Sequence, residues 1–74
     1  MHTTTNQSGL TAKELEYLSD SMKNEELLTK LCIQGAGEVQ DAQLRQTLTQ
    51  MAQERLQVFG HLLNTLQQQT TLTH

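Results

Sequence analysis

A chain of 74 residues with 35% apolar content, no Trp, one Tyr, one Phe and one Cys has room for one small helical or disulfide-free domain, and Leu must supply most of its burial. The formal net charge is −3, and the five basic residues, Lys13, Lys23, Lys30, Arg45 and Arg55, are scattered, which argues against a nucleic-acid footprint and against docking on an anionic membrane. A single Cys excludes an intrachain disulfide and a paired-cysteine metal site, and no apolar run has the length of a membrane span, so the chain reads as an intracellular protein.

Residues 1–9 (MHTTTNQSG) are polar and aperiodic and read as a disordered N-terminal tail. The pattern lies in residues 10–66. Thr11 is followed three positions later by Glu14, a capping box, with Leu10 and Leu15 at the positions of a hydrophobic staple. This predicts a first helix over about 12–36. Its apolar stripe is Leu15, Leu18, Met22, Thr29, Cys32, Ile33 and Ala36, bordered by Leu28, while Leu27 and Leu31 widen the arc. Gly35 and Gly37 are expected to end this helix in the left-handed conformation.

Asp41 is the expected N-cap of a second helix over about 42–66. Its stripe is Leu44, Leu48, Met51, Ala52, Val58, Phe59, Leu62, Leu63 and Leu66, with Leu56 at one edge. Gly60 lies inside this helix, either at a close helix contact or as a tolerated weakness. Residues 67–74 (QQQTTLTH) read as a frayed polar end. The connection of three to six residues forces antiparallel neighbours. Each apolar arc is wider than one partner helix covers. The expected fold is therefore all-α: an antiparallel helical hairpin that dimerises to a four-helix bundle. Leu15, Leu18, Met22, Leu28, Cys32, Leu44, Leu48, Met51, Val58, Phe59 and Leu62 are the packing residues of that core and interface.

Two charges interrupt the stripes. Glu25 stands in the middle of the first and Arg55 in the middle of the second, at nearly the same level of the hairpin. A buried ion pair between them is one reading, and Arg55 laying its stem on the apolar face with its head in water is the other. If they pair in the core, Arg55→Ala costs about 3 kcal/mol or more.

Glu25 and Glu54 are weak metal candidates. Ferritin-like bundles use Glu-x-x-His, whereas Glu54 opens Glu-x-x-Gln, ending at Gln57, and His61 lies two turns further on. No metal or other cofactor is expected. Cys32 reads as a small core residue rather than a reactive thiol. No catalytic constellation, phosphate loop or dinucleotide fingerprint is present, and an enzyme is not expected.

The stretch from Leu10 to about Leu66 resembles the spore coat protein F (CotF-like) family. The resemblance is carried by LTAKELEYLSDSMKNEELLTKL with its inward Glu25, by the turn into DAQLRQTLTQMAQERL with Leu44, Arg45 and Glu54, and by the close VFGHLLNTLQQQ. It implies a ferritin-like helical bundle, a structural role in sporulation, and a place in the sporulating mother cell and spore coat. The chain itself, and other coat proteins, are the implied partners. Family members often carry a Glu- and His-rich stretch in the second helix and an aromatic-rich C-terminus; this chain retains Glu54 but not the histidines, and it ends in QQQTTLTH. Two rival readings stand beside it: a regulatory module that docks a partner helix, and a degenerate ferritin-like metal protein.

Overall fold

The computed structural model describes residues 10–72, with side chains for residues 10–68. The expected tail over residues 1–9 and the last two residues lie outside the described part. Two helices, α1 (Ala12–Glu38) and α2 (Ala42–Leu72), pack against each other as an antiparallel hairpin. The rod measures 55 × 18 × 13 Å, and its described residues make a single hairpin.

The start of α1 follows from its first four residues. Thr11 has extended backbone (φ −80°, ψ 166°). Its hydroxyl oxygen accepts from the Glu14 amide at 3.1 Å, and the Glu14 carboxylate accepts from the Thr11 amide at 2.9 Å. Two donors that the helix cannot satisfy are thereby satisfied.

The end of α1 departs from the expectation. Gly35 and Gly37 do not terminate it. Both are helical, and α1 runs on to Glu38. The chain leaves the helix at Val39 in an extended conformation (φ −81°, ψ 150°), with the Val39 amide donating to the Gly35 carbonyl at 3.0 Å. At Gly35 the missing side chain bears on space rather than on a left-handed turn. A Cβ there would stand 3.3 Å from Leu48 Cδ1, so its absence lets α2 approach closely next to the turn.

Asp41 caps α2 through its carboxylate, which accepts from the Leu44 amide at 2.7 Å, while its carbonyl takes the Arg45 amide at 3.0 Å. Arg45 then reaches back and donates to the Val39 carbonyl at 2.9 Å. A cation thus sits on the carbonyl end of α1, where the helix dipole favours it. The second helix continues six residues past Leu66, so the segment expected to be frayed is helical to Leu72.

The seam between the helices follows a strict heptad. In α1 Leu15, Leu18, Met22, Glu25, Thr29, Cys32 and Ala36 lose exposure, three and four apart in alternation, as does the cap residue Val39 three further on; Gly35 beside them is half-buried too. In α2 the residues that lose exposure include Leu48, Ala52, Arg55, Phe59, Leu62 and Leu66, with the same alternation. That spacing is the one that keeps two helices in contact along their length. Among the described residues only Thr29, Cys32 and Ala52 are buried, and all three are small. The Thr29 hydroxyl donates to the Glu25 carbonyl at 2.8 Å, so its burial leaves no orphan donor.

Candidate functional site

The ion pair lies in the seam. Glu25 and Arg55, thirty positions apart in sequence, come together across the hairpin. Arg55 Nη1 stands 3.3 Å from Glu25 Oε1 and 3.4 Å from Oε2. Only the Oε2 contact has hydrogen-bond alignment, so Oε1 is buried without a hydrogen-bond partner. These distances exceed the 2.7–2.9 Å usual for charge-assisted bonds, and the attraction is more Coulombic than directional. The two ends are unequal: the Glu25 side chain keeps 15% of its exposure and Arg55 keeps 35%. The carboxylate is held inside while the guanidinium spans from the seam to water. Both sequence readings of Arg55 therefore hold in part, since it pairs and also reaches solvent.

The seam leaves two flanks. One bears a shallow depression of about 240 Å³ lined by Glu26, Thr29 and Lys30 from α1 and Leu56 and Phe59 from α2. Glu26 and Lys30 form an exposed ion pair there at 3.4 Å. At about 100° per residue, Ile33 falls on this same flank of α1, and Leu63 on this flank of α2. Ile33 was expected in the buried stripe, but it is 56% exposed. It lies between the Glu26 and Thr29 directions, too far round for α2 to cover.

The opposite flank carries Leu28 and, further round, Leu31 on α1, and Leu44 and Met51 on α2. Leu28, Leu44 and Met51, expected as packing residues, are not buried by the hairpin. They are 43%, 46% and 43% exposed, and Leu31 is 54% exposed. On α2 these residues form a row of their own, Leu44, Met51, Val58 and Thr65, at steps of seven. This row runs beside the seam positions Leu48, Arg55 and Leu62, again three and four apart. An α2 helix with two adjoining apolar rows is built to touch two neighbours, and the hairpin supplies one.

The other expected packing residues, Leu15, Leu18, Met22, Leu48, Val58, Phe59 and Leu62, are half-buried, and Cys32 is buried. Glu54 stands exposed and is not brought to Glu25, which faces Arg55 instead. Among the described residues no three His, Cys, Asp or Glu side chains gather as a metal site would require. Gly60 has nothing within 4 Å of where a Cβ would stand, so it marks no close helix contact. The part played by Arg45 at the turn escaped the residue-by-residue reading. Its place four positions after the cap residue Asp41, beside the end of the preceding helix, was the available signal.

Compared with protein-family models, with curated proteins and with solved structures, the chain matches none. Among the described residues no helix is long and apolar enough to cross a membrane.

Proposed function

We propose that this chain is a non-enzymatic assembly protein whose activity is self-association: two hairpins pack through an apolar flank into a two-fold four-helix bundle. The observation that carries the proposal is the exposed row Leu44–Met51 beside Leu28 and Leu31. Covering the exposed half of each such side chain is worth roughly 1 kcal/mol. The hairpin has reason to use it. Among the described residues its own buried ones are Thr29, Cys32 and Ala52, and no large side chain is fully buried. A core of that size does not sustain a small chain without disulfides or metal, and oligomerisation is the usual remedy.

The resemblance of residues 10–66 to spore coat protein F supports placing this assembly role in sporulation, in the mother cell and coat, with other coat proteins as further partners. That setting rests on the resemblance alone. A second reading, docking of a partner helix, is favoured by the depression between Lys30 and Leu56 on the other flank.

The test is molar mass by light scattering across a dilution series. A mass of two chains that falls to one only on dilution is the expected result. A folded monomer at all concentrations would overturn the self-association reading and leave partner docking.

A further inference from the structure

We draw no further inference here: the strongest candidate, the shallow apolar depression between α1 and α2 lined by Glu26, Thr29, Lys30, Leu56 and Phe59, is an unpartnered face, and nothing in the structure shows what covers it.

Discussion

The half of the hairpin next to the turn and the half next to the open end solve the same packing problem in opposite ways. Near the turn the seam is mostly small residues, Thr29, Cys32, Gly35, Ala36 and Ala52, around Leu48, which stands 3.3 Å from where a Cβ of Gly35 would be. Thr29, Cys32 and Ala52 are buried there, but that is burial of little surface. The large apolar residues, Leu28, Leu31, Leu44 and Met51, are left outside. Towards the open end the seam holds large residues, Leu18, Met22, Phe59, Leu62 and Leu66, and none is fully buried, because two helices cannot enclose a leucine on all sides. The Glu25–Arg55 pair stands at the boundary between the two regimes. Small seams make a tight hairpin and an outward apolar surface; large seams make a looser hairpin.

The comparison is broken most severely at Met51. Met51→Glu should raise the dissociation constant of the proposed dimer by about 100-fold or more, some 3 kcal/mol, because a carboxylate then occupies the proposed self-association surface. Leu56→Glu, on the flank with the depression, should leave the mass of two chains unchanged. The reverse outcome, read by sedimentation, would move the interface to the other flank.

Next in size is Arg55→Ala at the boundary. Full burial of the pair would make its loss worth about 3 kcal/mol or more, but with the guanidinium 35% exposed the expected cost is about 2 kcal/mol in urea unfolding. A change within about 0.5 kcal/mol would mean that the buried Glu25 carboxylate finds water as easily as it finds Arg55.

Thr11→Ala removes one half of the capping box at the open end and should cost about 1 kcal/mol, with amide exchange accelerating first at Glu14 and Leu15. The smallest effects separate the glycines. Gly60→Ala should stabilise by up to about 1 kcal/mol, since open space surrounds the new methyl and helix propensity improves. Gly35→Ala should gain less or lose, because its methyl meets Leu48 at 3.3 Å. Thermal unfolding of the two variants side by side checks the sign. Equal stabilisation would show that the tight approach near the turn yields freely.

Local signals carried much of this structure. Thr11 and Glu14, Asp41, and the three- and four-residue spacing of the stripes were enough to place both helix starts and the antiparallel connection, because capping and helical periodicity act within a few residues. Glu25 and Arg55 were legible as a pair because each interrupts an apolar stripe at a matching distance from the turn.

What the sequence by itself determined, then, is the hairpin: two capped amphipathic helices, their order and their level against each other. What only the tertiary structure decided is which part of each broad apolar arc the hairpin uses. Leu28, Ile33, Leu44 and Met51 are as apolar as Leu18 or Leu62, and periodicity alone put them in one set. The angle at which α1 meets α2 divides that set into seam and flank. The end of α1 was decided in the same way, since a glycine in a sequence looks the same whether it supplies a left-handed turn or, as Gly35 does, room for Leu48.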